Sequence, residues 1–167
     1  MSPIIENLGA DKIQSFFITH LDRIYSAKAH LIKHLPEMED LANFSDLQNA
    51  ISVTRKEVKK QISRMHEIYD LLNAKMSIES HKGLIGMVED AFSAIKQQKT
   101  DPALRDMSML FYLQNIESVE MTSFQMLQVA AVKLRNQQIK QLLQQNFESA
   151  KADKALLQML TVKYITG

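Results

Sequence analysis

Apolar residues recur at alternating intervals of three and four along four long segments of the chain. This spacing is typical of helices that bury one face, and the alternation expected of strands is absent. The four segments, with one shorter helical segment between the second and third, predict an all-α fold. We expect one ferritin-like antiparallel four-helix bundle over residues 1–167, with an additional short helix and a flexible N-terminus at 1–10.

The first predicted helix runs from an N-cap at Asp11 to His34 and is stopped by Pro36, and "EMEDLANF" after it forms at most a helical turn. In the second helix, Ser45 and Gln48 predict a capping box at the start, and the helix ends near Asn73.

A polar linker around residues 77–80 leads to the short helix at about 83–98. The next helix opens in "TDPALRD", with Thr100 or Asp101 as its cap and Pro102 in its first turn. Asn136 is predicted to end that helix in the left-handed conformation, and the last helix follows.

Each of the four apolar faces is interrupted by polar residues near the middle of its helix. In an antiparallel bundle these middles meet at one level, which predicts a polar layer inside the core. We call the following nine residues the polar layer: Lys28, Thr54, Glu57, Gln61, Glu117, Glu120, Asn146, Ser149 and Asp153.

Glu117 and Glu120 stand out because both lie on an apolar face, in "ESVE". A Glu-x-x-Glu spacing puts two carboxylates on one side of a helix, and bundle interiors with inward carboxylates are where di-iron and di-manganese sites are built. The alternative is that the two residues flank the core rather than enter it.

Composition narrows the choice of chemistry. The chain has no cysteine, which excludes disulfides, thiolate metal sites and cysteine nucleophiles. The net charge of +1 provides no general attraction to nucleic acid or anionic membranes, and the sequence has no apolar run of membrane-spanning length. With no signal peptide expected, we predict a cytoplasmic protein that binds neither nucleic acid nor membrane.

Five motifs in order resemble one family. They are "IYSAKAHLIKHLPEM", "EVKKQISRMHEIY", "HKGLIGMVEDA", "TDPALRDMSMLFYLQNIESVE" and "LLQQNFESAKAD". They are similar to motifs of the YciE/YciF family of bacterial stress-associated, ferritin-like proteins, over about residues 16–160. The resemblance implies a metal-binding bundle and a homodimer.

The departures from that family's pattern suggest that the metal site is degenerate. The family's glutamates on helix one and before the short helix fall on Lys28 and Lys82, and the His of its fourth-helix pair falls on Ser118. Its second-helix Glu is kept as Glu57, while the His-or-Gln position is Gln61. Its last-helix run of three glutamates is reduced to Glu148, followed by Ser149 and Ala150.

We therefore treat eight residues as vestigial metal positions: Lys28, Glu57, Gln61, Glu117, Glu120, Ser149, Ala150 and Asp153. A lysine ammonium among them would repel a dication. The sequence thus favours a non-catalytic bundle without a cofactor, in which Lys28 pairs with Glu57, Glu117 or Glu120.

Two alternatives stay open. In the first, the chain still binds iron or manganese at partial occupancy through Glu57, Glu117, Glu120 and Asp153, with residual redox activity. In the second, the chain is an adaptor that uses a basic face of helix two to meet an acidic partner. That face consists of Arg55, Lys56, Lys59, Lys60 and Arg64.

Overall fold

The fold is built from helices alone in the residues that the computed structural model describes, 8–77 and 82–167. These helices are α1 (Ala10–Leu41), α2 (Ser45–Leu71), α3 (Lys82–Gln97), α4 (Pro102–Ala131) and α5 (Gln137–Thr166), with a 3-10 turn at Val132–Leu134. The all-α prediction is confirmed, with four long helices and one short one.

The four long helices form an antiparallel bundle whose core has two apolar ends. One end contains Met38 of α1 with Leu47 of α2 and Met109 of α4, and the other contains Phe17 of α1 with Phe124 of α4. α1 and α4 therefore run in opposite directions, and so do α2 and α5, because Leu157 near the end of α5 lies in the same cluster as Leu47. α3 packs against α1 and α4.

The predicted end of α1 at Pro36 is wrong, because the helix continues through the proline to Leu41. A proline inside a helix costs about 3 kcal/mol through a lost hydrogen bond and a steric clash. Leu35 and Met38, on either side of it, are almost completely buried. Burying such side chains contributes about 1.5–3 kcal/mol each, so packing outweighs the proline.

The predicted caps at the starts of α1 and α2 are also wrong. Gly9 precedes α1, and Asp11 lies in its first turn without capping it. Phe44 is the N-cap of α2 and makes no side-chain cap bond, while the Gln48 side chain donates to the Glu39 carbonyl oxygen, 3.2 Å away.

Two neighbouring residues of α4 instead form hydrogen bonds with the backbone groups at the junction between α1 and α2. The Asp106 carboxylate accepts from the backbone N–H groups of Asn43 (2.8 Å) and Phe44 (2.5 Å). The Arg105 guanidinium donates to the Leu41 carbonyl oxygen at 2.7 Å. A carboxylate near the start of one helix and a cation near the end of another both complement the helix dipoles.

The start of α4 follows the prediction, and its end does not. The Asp101 side chain accepts from the Leu104 backbone N–H, with Pro102 as the first helical residue. The left-handed residue after α4 is Arg135, at φ 53°, rather than Asn136. Asn136 is the N-cap of α5, and its side chain accepts from the backbone N–H groups of Gln138 and Ile139.

The predicted buried faces are correct over most of their length, with one shift in α5. Ala150 is buried there, whereas Ser149, which is predicted to belong to the polar layer, is half-buried.

Two predicted segments lie largely outside the described residues. These are the flexible N-terminus, of which only residues 8–10 are described, and the linker at 77–80, of which only Ser77 is described. Among the described helices, none combines the length and the apolar character that a membrane span requires.

Candidate functional site

The polar layer lies between the two apolar ends of the core. Seven of its nine predicted members are buried: Lys28, Thr54, Gln61, Glu117, Glu120, Asn146 and Asp153. The other two, Glu57 and Ser149, are half-buried at its edge. Because α1, α2, α4 and α5 all contribute, the layer crosses the whole bundle.

Lys28 is at the centre of the layer and has no exposed surface. Its ammonium donates to the Glu120 carboxylate, with Nζ and Oε2 2.5 Å apart, and to Oε1 of Gln61. It also lies 5.6 Å from the centroid of the Phe124 ring, within the range of a cation–π contact. The expected ion pair of Lys28 with an interior carboxylate is confirmed, and Glu120 is the partner.

Glu117 lies one helical turn before Glu120 and is equally enclosed. Its two carboxylate oxygens have no hydrogen-bond partner among the described residues. Burial, and then the negative charge of Glu120, raise the pKa of Glu117 well above its ordinary value, although Lys28 opposes the shift. The site therefore favours a neutral carboxyl at position 117.

Asp153 of α5 is the third carboxyl group inside the layer. Burial and the charge of Glu57 raise its pKa to about 7, and Lys28 again opposes the shift. Its Oδ2 atom has no hydrogen-bond partner among the residues that the structure describes, and the same holds for Thr54 Oγ1 and Gln61 Nε2. The layer thus contains several buried polar atoms that form no hydrogen bond with the described residues.

Glu57 belongs to the edge of the layer rather than to the group around Lys28. Its carboxylate accepts from Lys60 at 2.6 Å and from the Ser149 hydroxyl at 2.8 Å. The hydrogen bond from Lys60 is the main cause that lowers the pKa of Glu57. Ala150, the neighbour of Ser149, points into the core without a polar group.

The basic face of helix two is partly engaged in contacts within the chain. Arg55 lies 3.4 Å from the Glu39 carboxylate, Lys60 pairs with Glu57, and Arg64 donates to the Asn146 side chain at 3.2 Å. Lys56 and Lys59 are exposed.

Sequence reasoning missed two further buried carboxylates, Asp22 and Asp106. Asp22 accepts a hydrogen bond from the Tyr69 hydroxyl at 2.5 Å. Asp106 caps the junction between α1 and α2. Their position beside apolar faces could have indicated burial, but no local spacing indicates partners 47 and 62 residues away.

The sequence of the chain matches the model of one known protein family. The model of the family described as "Domain of unknown function (DUF892)" matches residues 12–166. The chain belongs to the DUF892 family. Protein YciF of Escherichia coli (strain K12) is 24% identical to it over 154 residues, which cover 92% of each protein. The resemblance to the YciE/YciF family is thereby confirmed.

Solved structures confirm the fold of this DUF892 chain. The Escherichia coli stress protein YciF matches with a TM-score of 0.86 and 23% identity, over 92% of this chain and 97% of YciF. YcfI from Rhodopseudomonas palustris matches with a TM-score of 0.81 and 23% identity, over 95% of this chain and 97% of YcfI.

The side chains in the layer of this DUF892 chain do not fit a dinuclear metal centre. Such a centre needs inward carboxylates or histidines from four helices, whereas α1 contributes an ammonium. Among residues 8–77 and 82–167, no three Asp, Glu, His or Cys side chains are grouped so that they could bind one metal ion.

Proposed function

We propose that this chain is a non-catalytic, stress-associated bundle protein in which the ammonium of Lys28 takes the place of metal ions as the interior counter-charge. The protein then acts through its structure and its associations rather than through redox chemistry. The stress association comes from its relative YciF, which is described as a stress protein.

The observation that carries this proposal is the position of the Lys28 ammonium. It is completely buried and bonded to Glu120 and Gln61, which are contributed by two other helices. A buried carboxylate without compensation is costly, and a cation beside it removes most of that cost. The layer can therefore be stable in the absence of a metal ion.

The substitution Lys28→Glu tests this function. The variant should gain affinity for Mn²⁺ or Fe²⁺, because it returns a carboxylate to α1 beside Glu120. Without metal, it should be about 3 kcal/mol or more less stable than the parent, since like charges are crowded in a poorly screened layer. Titration calorimetry with Mn²⁺ and urea unfolding measure both effects.

Lys28→Gln is the matched control for that experiment. It removes the ammonium without adding a carboxylate, so it should lose stability but gain no metal affinity. Two results together would count against the proposal: Lys28→Glu is as stable as the parent without metal, and it binds Mn²⁺ no more tightly than the parent does.

The metal-binding alternative is supported by the unpaired oxygens of Glu117 and Asp153. With Glu57 and Glu120, these residues contribute four carboxyl groups from three helices. Iron or manganese at partial occupancy, with redox activity, would be the outcome. The ammonium at the centre of the group weighs against it, because it repels a dication at short range.

The adaptor alternative has less support, because Arg55, Lys60 and Arg64 are engaged with neighbours. Reversing Lys56 and Lys59 to Glu would abolish capture of an acidic partner if helix two were the docking face.

We also propose that the exposed face of α4 pairs with the same face of a second copy of this chain. α4, all of which the structure describes, has four charged residues: Arg105, Asp106, Glu117 and Glu120. The three carboxylates are buried, and Arg105 donates to Leu41. The exposed side chains of α4, which include Leu104, Phe111, Met126 and Val129, are therefore uncharged and can face their own copies without repulsion.

A further inference from the structure

Two histidines of α1 point toward one carboxylate of α3, outside the polar layer. His30 and His34 are four residues apart, so they share one side of α1. Their Nε2 atoms lie 3.9 Å and 3.2 Å from the same oxygen atom, Oε1 of Glu89. The two imidazole rings therefore converge on one place between α1 and α3.

The His30 ring is oriented so that its Nε2 atom has a free lone pair. Its Nδ1 atom lies 3.1 Å from the carbonyl oxygen of Ser26, one turn earlier in α1. A carbonyl oxygen can only accept a hydrogen bond, so Nδ1 carries the proton of the neutral ring and Nε2 carries the lone pair. Histidines that bind metal ions are held in the same way, by a hydrogen bond from the other ring nitrogen to a carbonyl or a carboxylate.

The His34 ring is held in place by the buried Phe92 of α3. The two rings stack with their centroids 4.2 Å apart and their planes inclined by 25°. The His30 and His34 side chains are still 36% and 26% exposed, so an ion from solvent can reach both rings. Because the rings are already ordered, an ion that binds them loses little affinity to the ordering of side chains.

We propose that the Nε2 atoms of His30 and His34 bind one divalent ion of the zinc class, Zn²⁺ or Ni²⁺, with Glu89 as the counter-charge beside it. The protein supplies two ligands, and water molecules complete the coordination shell. This site on the surface between α1 and α3 goes beyond the proposed function. It shares no residue with the polar layer.

Binding of the ion displaces one proton within the His34 ring. Without metal, Nε2 of His34 donates to the Glu89 carboxylate. The ion takes the place of that proton, and the neutral ring keeps its single proton on Nδ1 instead. The Glu89 side chain is 50% exposed, so it can move aside and accept a hydrogen bond from a water molecule on the ion.

The charges and the type of ligand both favour an ion of this class. Among the described residues, no lysine or arginine pairs with the Glu89 carboxylate, and Lys96 of α3 pairs with Glu37 at 2.9 Å instead. The negative charge of Glu89 is therefore available to a cation. Imidazole nitrogens suit Zn²⁺ and Ni²⁺, whereas Mn²⁺ prefers oxygen ligands. A titration with Zn²⁺ should thus report on this site.

Titration calorimetry with Zn²⁺ at neutral pH, on the full chain without a polyhistidine tag, tests the site. The parent should bind one equivalent of Zn²⁺. His30→Gln and His34→Gln should each weaken binding by about 100-fold or more, and Glu89→Gln by about tenfold, because groups around a metal typically contribute about 10–100-fold in affinity. His66→Gln is the matched control, since His66 is exposed on α2 and contacts Tyr25; its affinity should equal that of the parent.

Nuclear magnetic resonance spectra of the histidine rings test the geometry itself. On addition of Zn²⁺ to the parent, the Nε2 signals of His30 and His34 should shift, and the His66 signals should not. Nδ1 of His30 should stay protonated, because it keeps its hydrogen bond to Ser26. Zinc bound at Nδ1 of His30 would contradict the proposed geometry.

Three calorimetric results would overturn the inference. The first is a folded parent that binds no Zn²⁺. The second is unchanged affinity in folded His30→Gln, His34→Gln or Glu89→Gln, and the third is a loss in His66→Gln as large as in the other histidine variants. Circular dichroism shows that each variant is folded. Failure of this site would leave the proposed function untouched, because that function concerns iron and manganese in the polar layer.

Discussion

The residues of the polar layer form a small electrostatic system around one cation. Lys28 neutralises Glu120 directly, and its charge is also felt by Glu117 and Asp153. A single ammonium cannot balance three buried carboxylates. Protonation of Glu117 and Asp153 supplies the remaining neutralisation, in the direction that burial favours.

Stability should depend on pH through Asp153. Its folded-state pKa, about 7, lies above the ordinary value of 3.8, so the folded state binds more protons between these values. The free energy of unfolding should therefore fall as pH rises from about 4 to 7, and the full loss should be present above pH 7. Asp153→Asn should remove this part of the pH dependence and be more stable at pH 8 by about 1–3 kcal/mol.

Urea unfolding of the parent and Asp153→Asn at pH 5 and pH 8 checks this. Asp40→Asn is a suitable control, because Asp40 is exposed near the end of α1, away from the layer, and should leave the slope unchanged. A parent that gains stability relative to Asp153→Asn between pH 5 and 8 would show that the Asp153 carboxylate is stabilised rather than strained.

At this scale the sequence predicted which residues turn inward but not how they pair. Lys28 was found because it interrupts an apolar face. The choice of Glu120 over Glu117 depends on where a flexible four-carbon chain ends, which helical spacing does not encode. In α5, the heptad spacing predicts that Ser149 is buried, whereas Ala150 is the buried residue. The reason is that a heptad spacing drifts by about 20° per repeat relative to a straight helix.

The helices themselves are held at their ends by tertiary contacts as much as by local capping. Asp106 and Arg105 of α4 bond to the backbone where α1 ends and α2 begins. One dipeptide thus fixes the turn between two other helices. The sequence predicted a local cap at Ser45 because the true cap is far away along the chain.

Asp106→Ala should cost about 2–3 kcal/mol of unfolding free energy. It removes a buried carboxylate that accepts from two backbone N–H groups, and each unsatisfied buried donor is costly. Ser45→Ala is the matched control and should cost only a few tenths of a kcal/mol, because Ser45 makes no cap bond. Equal losses for the two variants in chemical denaturation would contradict this account of the junction.

Pro36 shows why the length of α1 was not predictable from its sequence. The free energy gained by burying Leu35 and Met38 exceeds the cost of a proline inside the helix, so the local rule that proline ends a helix does not apply here. That burial exists only because Leu47 of α2 and Met109 of α4 belong to the same end of the core. Element ends set by tertiary packing are visible only once the elements are assembled.

For the whole molecule, the bundle was predictable because four apolar faces of similar length have only a few ways to bury themselves together. Each helix face is apolar at both ends and polar in the middle, and this pattern also predicted that the polar residues of the four helices lie at the same level of the bundle. The exposed face of α4 is uncharged only because the carboxylates of this helix turn inward. The spacing of the buried face predicted the inward orientation of Glu117 and Glu120 but not that of Asp106.

A second copy paired through α4 should be lost on Phe111→Glu. Phe111 is 62% exposed on the uncharged face, and the variant would place two carboxylates in a desolvated contact between copies. Val53→Glu, on an exposed position of α2 (45% exposed), should leave the assembly intact. Sedimentation velocity measures both, and a parent that sediments as a monomer at high concentration would contradict this pairing.

The most direct test of the account is the metal content of the parent protein. The chain would be purified without chelators from cells grown with added iron and manganese, and each metal would be counted per chain by mass spectrometry. We predict far less than one equivalent of either metal, because in the proposed function the Lys28 ammonium, which pairs with Glu120, takes the place of the metal ions. Two equivalents of iron or manganese per chain, with ferroxidase activity, would contradict it.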